Sequence, residues 1–191
     1  MTRIGIILGS TRPHRNGEQV ARWVLDIASQ RPDAQFELVD LRDFALPLLD
    51  EPLPPSLGRY QNDHTKRWAE KIASFDGFVF VTPEYNHGTS AVLKNAIDYL
   101  FAEWNNKAVG FVSYGSAGGV RAVEHLRLVA GELQMADVRA QVALPFATEF
   151  EDRREFTPDD FALSTLEAML KQVIAWSDAL APLRRKRSAV A

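Results

Sequence analysis

Residues 3–28, RIGIILGSTRPHRNGEQVARWVLDIA, contain three patterns in succession. The first, over residues 3–9, is a short apolar run of the kind found in strands that helices cover on both faces. The last begins near Val20, where apolar residues recur at the spacing of one helix face. A polar loop joins the two. The stretch therefore predicts a strand–loop–helix unit, the building block of a parallel sheet.

Four further strand-like segments follow along the chain. Residues 77–82 and 107–113 are apolar runs typical of interior strands, whereas residues 35–40 and 139–144 alternate in polarity as half-exposed edge strands do. Strands that alternate with helices predict right-handed crossovers within one parallel sheet. We therefore predict an α/β, flavodoxin-like three-layer sandwich with a five-stranded parallel sheet in order 2-1-3-4-5, which places the second and fifth strands at the edges.

Helices are predicted near residues 65–75, 93–101 and 118–135 from the spacing of their apolar residues. A last helix is expected to begin after Thr157, its N-cap, with Pro158 in the first helical position. The buried stripe of that helix is expected to be Leu166, Met169, Leu170, Val173 and Ile174.

Length and charge limit the organisation and the partners of the chain. With 191 residues it suits one α/β domain, which we expect to span residues 1–183 and to precede a basic, disordered C-terminal tail over residues 184–191. The net charge of -3 gives no general attraction to nucleic acid or to anionic lipid. The run Arg184-Arg185-Lys186-Arg187 is interpreted as a solvated terminus, because it lacks aromatic residues, and a polyanion-binding tail is the alternative.

Composition also limits the compartment and the chemistry. No apolar run reaches the roughly 20 residues that span a bilayer, and the first residues lead into a strand instead of a signal peptide, so we expect a cytoplasmic protein without membrane contact. The absence of cysteine excludes thiolate and cysteine-bound metal chemistry, so redox chemistry requires a bound cofactor. The four histidines and the carboxylates lack the spacing of a metal site.

The first loop, residues 9–17, has the composition of a phosphate site. Ser10 and Thr11 offer hydroxyls, Arg12 offers a guanidinium, and the start of the next helix offers free N–H groups. Asn16 is expected to cap that helix. The loop lacks the Walker A and dinucleotide glycine patterns, so a phosphate monoester bound without metal fits it better. A polar connection with an N-cap is the alternative.

Two more loops follow the third and fourth strands. The second loop, residues 82–90, reads TPEYNHGTS, and the third loop, residues 113–119, reads SYGSAGG. Since the carboxyl ends of parallel strands meet at one edge of a sheet, the three loops are expected to converge. Gly88 would allow a flat ring to approach the backbone, while the glycines of the third loop also suit a simple tight turn. His87 is interpreted as a surface residue of its loop.

Three motifs carry a family resemblance: Gly9-Ser10-Thr11-Arg12, Pro83-Glu84-Tyr85-Asn86 and Leu93-Lys94-Asn95-Ala96-Ile97-Asp98. Together they resemble the NADPH-dependent FMN reductase family, which includes quinone, azo-dye and chromate reductases. The resemblance covers most of residues 3–144. It implies noncovalently bound FMN, NADPH or NADH as co-substrate, and a homodimer or homotetramer.

Matched motif to motif, the resemblance also implies site residues. Those of the first loop would hold the FMN phosphate, those of the second would line the isoalloxazine and ribityl chain, and those of the third would border the nicotinamide approach. Arg121, just beyond, would contact a nucleotide phosphate, whereas Asp40 is not assigned to a ribose. The implied cofactor-binding residues are Ser10, Arg12, Asn16, Gly17, Pro83, Glu84, Tyr85, Asn86, Gly88, Ser113, Gly115 and Gly118.

These expectations combine into an oxidoreductase that passes hydride from NAD(P)H through FMN to a small acceptor: a quinone, an azo compound, chromate or free flavin. No catalytic side chain is nominated, because the chemistry belongs to the flavin N5. A flavodoxin-type electron carrier without NAD(P)H activity, and a structural or regulatory protein that lost the cofactor, are the alternatives. Trp104 and the apolar helix before it fit either a dimer contact or burial within one chain.

Overall fold

Across residues 1–188, which the computed structural model describes, five parallel strands form a single sheet in the order β2-β1-β3-β4-β5. The predicted strand order is confirmed. Every residue of β3 and β4 is buried, while the two edge strands mix buried and exposed positions, as their sequence patterns indicate. The strands are β1 (Thr2–Leu8), β2 (Ala34–Asp40), β3 (Gly77–Pro83), β4 (Ala108–Gly115) and β5 (Ala136–Pro145).

Helices cover both faces of the sheet because successive strand residues point to opposite sides. Ile6 packs into the core beneath the first and last helices, and its neighbour Ile7 packs into the core beneath the other three. The predicted buried stripe of the last helix is confirmed. The helices are α1 (Gly17–Ala28), α2 (Asp63–Ala73), α3 (Ala91–Asp98), α4 (Val120–Glu132) and α5 (Asp160–Ser188).

The predicted ranges of α2 and α4 differ from the observed ones by two or three residues at each end, and two further boundaries change the role expected of named residues. Helix α3 ends at Asp98, so Leu100 and Phe101 follow it in the turns before β4. Helix α5 begins at Asp160, and its cap is Asp159 instead of Thr157, because the Asp159 Oδ1 accepts a hydrogen bond from the Ala162 amide at 2.7 Å. A carboxylate three residues before a free amide of the first turn satisfies it in the usual N-cap geometry.

Helix α5 continues through Ser188, so residues 184–188 are helical and do not begin a disordered tail. Arg184 explains the continuation: its guanidinium donates to Asp76 Oδ1 at 2.8 Å and to the Asn106 carbonyl at 3.1 Å, which ties the helix to the sheet. Residues 189–191 of the predicted tail lie outside the described residues. At 29 residues α5 is long, yet neither it nor another helix in the described part has the apolar character needed to cross a membrane.

A short antiparallel hairpin, β6 (Phe150–Glu151) and β7 (Glu155–Phe156), separates β5 from α5 and had no counterpart in the sequence prediction. Its Phe156 ring packs on Phe150 and on Trp23 of α1, with ring centroids 5.1 and 5.3 Å apart. These contacts pack the hairpin against α1.

Trp104 belongs to the core of its own chain. The side chain is 0% exposed, its Nε1 donates to the Ile97 carbonyl at 3.1 Å, and its ring meets Phe78 edge-on at 5.0 Å. Its interpretation as a dimer contact is therefore wrong, because its whole surface is used within the chain.

We expect Trp104→Ala to destabilise the fold by about 3–5 kcal/mol, since it removes a fully buried aromatic side chain and leaves a cavity. Urea unfolding followed by circular dichroism measures the change. Trp176→Ala is the matched control: Trp176 is 52% exposed on α5, so its loss should cost less than about 0.5 kcal/mol. Equal stability of the two variants would contradict the placement of Trp104 in the core.

Candidate functional site

The three loops converge at the carboxyl edge of the sheet, as predicted. The Gly9 amide donates to the Val81 carbonyl at 2.9 Å, and the Ser90 hydroxyl donates to the Gly9 carbonyl, which joins the first loop to the second. The Glu84 amide donates to the Tyr114 carbonyl at 3.2 Å, which joins the second loop to the third. The three segments therefore form one continuous edge.

A cavity of about 310 Å³, here called the inner cavity, opens between these loops. Five of the predicted site residues line it, together with a further arginine of the first loop, a tyrosine of the third loop, and an aromatic residue and an arginine from beyond β5. Its lining residues are Arg12, Arg15, Asn16, Pro83, Glu84, Tyr85, Tyr114, Phe146 and Arg153.

A buried ion pair fixes the first loop from beneath. The Arg15 guanidinium, from Nη1, donates to Asp40 at 2.8 Å, and it also donates to the Ser10 carbonyl. Arg42 adds a second brace, because its Nη2 donates to the Arg12 carbonyl at 2.7 Å. No role was predicted for Arg15 or Asp40, although the position of Asp40 at the end of the strand next to β1 was an available signal.

Both charges of this pair are retained in the folded protein. Burial alone would raise the pKa of Asp40, but the hydrogen bonds from the Arg15 side chain and the Arg42 amide lower it below its usual value. The guanidinium of Arg15 is charged at any ordinary pH. The pair is therefore ionised, and Arg15 is not available to a ligand in the way that Arg12 is.

Arg12 is the predicted phosphate residue whose charged group remains free. It is exposed, and among residues 1–185, whose side chains the structure describes, its guanidinium has no hydrogen-bond or ion-pair partner. Ser10 lies deeper, at 1% exposure, with its hydroxyl 3.3 Å from the Tyr85 hydroxyl. Ser10 thus supports the wall behind the cavity, and Arg12 reaches its opening.

The start of α1 packs closely on the third loop. A Cβ at Gly17 would collide with the Tyr114 hydroxyl. Glycine is therefore required here because the backbone lies so close to Tyr114, and not because of a special backbone conformation. The first hydrogen bond of the helix runs from the Gln19 amide to the Asn16 carbonyl at 3.1 Å. The amides of Gly17 and Glu18 precede that bond and are free of intrahelical acceptors.

Asn16 occupies the N-cap position of α1 without capping it. Its Nδ2 instead donates to the Arg153 carbonyl at 2.9 Å, so the prediction that its side chain caps the helix is wrong. The hairpin offers the side chain an acceptor that the sequence pattern did not show.

The second loop turns back on itself at the mouth of the cavity. Tyr85 and Gly88 exchange backbone hydrogen bonds of 2.9 and 3.1 Å, with Asn86 and His87 at φ 49° and 74° between them. Tyr85, Asn86 and His87 are exposed, which agrees with the surface interpretation of His87. Of this turn, only Tyr85 lines the inner cavity; Asn86 and Gly88 do not.

Glu84 links the second loop to α4. Its carboxylate accepts a hydrogen bond from the Arg121 amide at 3.1 Å and forms an ion pair with the Arg121 guanidinium. Burial alone would raise the pKa of Glu84, but these bonds from Arg121 lower it. The Arg121 group that was expected to contact a nucleotide phosphate is thus engaged with Glu84.

Ser113 braces the third loop from within. It is fully buried, and its hydroxyl donates to the Gly118 carbonyl at 2.7 Å. The Gly115 carbonyl accepts from the Gly118 amide at 3.1 Å and from the Phe146 amide at 3.0 Å. None of the three predicted residues of this loop lines the inner cavity, where the loop contributes Tyr114.

The donor set fits a flat ring that carries a phosphate monoester. The first loop offers a free guanidinium and the amides at the start of α1, which suit an anion. Tyr85, Tyr114 and Phe146 offer aromatic surface. No group of three or more His, Cys, Asp or Glu side chains in the described part is placed to hold a metal ion.

Comparison with known proteins agrees with this geometry. The family model described as NADPH-dependent FMN reductase matches residues 2–149. An NAD(P)H-dependent FMN reductase of Schizosaccharomyces pombe is 46% identical over 135 residues, which cover 70% of this chain and 68% of that protein. One of Nectria sp is 43% identical over 157 residues, 77% of each chain. A quinone reductase of Pseudomonas putida is 30% identical over 186 residues, 91% and 93% of the two chains.

A solved structure has the same fold. A flavoenzyme NAD(P)H:(acceptor) oxidoreductase from Paracoccus denitrificans superposes with a TM-score of 0.73, covering 94% of this chain and 98% of that one at 18% identity. The flavodoxin-like architecture predicted from the strand patterns is therefore confirmed.

We expect Asp40→Asn to destabilise the protein by about 2 kcal/mol at neutral pH, because it removes the nearer counterion of the buried Arg15 charge and leaves only the 3.7 Å ion pair with Glu18. The folded-state pKa of Asp40 is lowered, so the stabilisation is present above the unfolded value of about 3.9 and is lost as the pH falls through the folded value. Urea unfolding at neutral and acid pH should show the two proteins converging in acid. Asp26→Asn, at an exposed position of α1, is the control; a constant difference across the pH range would refute the linkage.

Proposed function

The chain belongs to the NADPH-dependent FMN reductase family and is an NAD(P)H-dependent flavin oxidoreductase, and from this premise we propose that the inner cavity and its three loops hold FMN. Bound there, FMN would supply the hydride acceptor that links NADPH or NADH to a small oxidised substrate. The protein's own residues bind and orient both partners. The convergence of a free guanidinium with an aromatic-lined cavity is the observation that carries the proposal.

We propose that the Arg12 guanidinium and the amides at the start of α1 bind the FMN phosphate. A guanidinium presents a fork of donors that matches phosphate oxygens, and a helix start favours negative charge. Ser10 and Gly17 lie directly behind this position and shape it, since one is buried beneath Tyr85 and the other contacts Tyr114. Asn16 acts through the hairpin, whose carbonyl it holds.

We propose that Pro83, Tyr85 and Phe146 border the ring system, whose flat face needs apolar surface at close range. Glu84 holds the second loop in place through Arg121, so it positions the ring contacts and does not donate or accept a proton. The backbone around Asn86 and Gly88 would meet the polar edge of the ring. Ser113, Gly115 and Gly118 keep the third loop in shape beside the nicotinamide approach.

Quinones are the acceptors that we favour among the small substrates. The relative that matches most of both chains among those described above is a quinone reductase. An acceptor reduced at an open flavin face needs few specific contacts with the protein. Azo compounds, chromate and free flavin are therefore also included among the proposed acceptors.

We propose further that the protein is a homodimer or homotetramer. In the proline-rich segment of residues 46–57, Leu48 is 82% exposed and Leu57 is 54% exposed, and exposed leucines clustered in one segment suit a contact between copies. A cytoplasmic location stays a prediction.

The purified protein should bind FMN and its visible absorbance should bleach when NADPH or NADH is added without oxygen. Stopped-flow spectroscopy under anaerobic conditions measures the rate with each donor. Addition of a quinone should restore the colour. A flavodoxin-type electron carrier would bind FMN and stay coloured, and a protein that had lost the cofactor would not bind FMN at all, so each alternative gives its own result.

Tyr85→Ala should raise the dissociation constant of FMN by about tenfold, because an aromatic wall of the cavity is lost. Quenching of flavin fluorescence on titration with apoprotein measures the constant. Trp176→Ala removes an exposed aromatic side chain on α5 that does not line the cavity and should leave the constant unchanged. Unaltered FMN affinity in Tyr85→Ala would remove Tyr85 from the site.

A further inference from the structure

A second and wider cavity, of about 990 Å³, adjoins the inner cavity at the start of α1, and we call it the outer cavity. Four residues line both: Arg12, Arg15, Asn16 and Arg153. The shared residues mark the junction of the two spaces. The remaining lining of the outer cavity is Pro13, His14, Glu18, Gln19, Arg22, Asp152 and Arg154.

Part of this junction comes from the β6–β7 hairpin, outside the segment that defines the family. The family match ends at residue 149, and the hairpin runs from Phe150 to Phe156. Arg153 and Arg154 are therefore not among the residues to which the family motifs assign a role.

The hairpin is fixed to the first turn of α1 by side chains of that helix start. The Asn16 Nδ2 donates to the Arg153 carbonyl at 2.9 Å, and the Gln19 Nε2 donates to the Arg154 carbonyl at 2.8 Å. The Gln19 Oε1 in turn accepts from the Phe156 amide at 3.2 Å. Three hydrogen bonds thus hold the turn beside the first loop.

The turn itself is of a type that asparagine and glycine usually occupy. The Arg154 amide donates to the Glu151 carbonyl at 2.9 Å, and the two residues between them, Asp152 and Arg153, have φ of 46° and 58°. Two consecutive positive φ values match a type I′ turn, which here lies within the three-residue loop between the paired residues Glu151 and Glu155. An arginine in this conformation is unfavourable for the backbone, and the contacts to Asn16 and Gln19 hold it there.

The charges around the junction are unequally satisfied. Arg15 is paired with Asp40, and Arg22 is paired with Glu18 at 2.9 Å. By contrast, the guanidinium groups of Arg12 and Arg153 have no ion-pair or hydrogen-bond partner among the residues that the structure describes. Two uncompensated cations therefore face the junction from opposite chain segments.

We propose that Arg153 binds the FMN phosphate together with Arg12, so that the hairpin forms a third side of the phosphate site. The proposal rests on the proposed function. A phosphate monoester carries close to two negative charges at neutral pH and has three acceptor oxygens, more than one guanidinium fork satisfies. Arg153 supplies the second fork at the point where the two cavities meet.

The test compares FMN with riboflavin, which has the same ring and ribityl chain but no phosphate. Apoprotein of Arg153→Gln should bind FMN about tenfold more weakly than the wild type, the loss expected for one charge-assisted hydrogen bond at a partly solvated site. Its riboflavin affinity should be unchanged. Arg154→Gln is the matched control, because Arg154 is the adjacent arginine but lines the outer cavity only, and it should bind FMN as the wild type does.

A second variant separates binding from folding. Arg153→Gly removes the guanidinium but suits the positive φ of the turn, so its melting temperature should equal or exceed that of the wild type. Its FMN affinity should fall as in Arg153→Gln. Weaker FMN binding in a variant that is no less stable assigns the loss to the guanidinium.

Three results would overturn the assignment. Wild-type FMN affinity in both Arg153 variants would reject Arg153 as a phosphate residue while the function stands. Unchanged FMN affinity with a loss of preference for NADPH over NADH would place the guanidinium on the nucleotide's phosphate instead. Failure of the wild-type protein to bind FMN would reject the proposed function and the inference together.

Discussion

The ion pair between Arg15 and Asp40 is the interaction on which the first loop depends. Arg15 is 7% exposed, and a buried guanidinium requires a counterion and hydrogen-bond acceptors to offset the loss of water. Asp40 provides the charge because β2 ends beside β1, in register with Leu8. The same guanidinium donates to the Ser10 carbonyl, so the pair fixes the loop backbone.

Fixing the first loop fixes its neighbours, because the contacts at this edge form a chain. Ser90 joins the Gly9 carbonyl, Glu84 joins the third loop through its amide, and the Glu84 carboxylate joins α4 through Arg121. Each link uses a buried or half-buried polar group that needs a partner in the folded state. The cavity walls are therefore set before a ligand arrives, which lowers the ordering cost of binding.

The strand patterns predicted the fold because a strand buried on both faces has a continuous apolar sequence, whereas a strand buried on one face alternates between apolar and polar residues. They placed the three loops at one edge for the same reason. Ion pairs between residues distant in sequence produce no such local pattern. The residues around Arg15, which is paired with Asp40, do not distinguish it from Arg12, whose guanidinium is free. The hairpin lacked the Asn-Gly signal of its turn type, so both its existence and the use of Asn16 as its anchor escaped prediction.

The three arginines that line the inner cavity, Arg12, Arg15 and Arg153, divide according to burial. The buried one is neutralised within the protein and serves the fold, since an uncompensated charge there would be costly. The exposed ones keep water in place of a counterion and can exchange it for an anion at little cost. The hairpin holds Arg153 at a positive φ, which is unfavourable for an arginine backbone. Arginine therefore does not stabilise the turn, because glycine would suit this conformation better. The choice of arginine at this position is explained by what the side chain can bind.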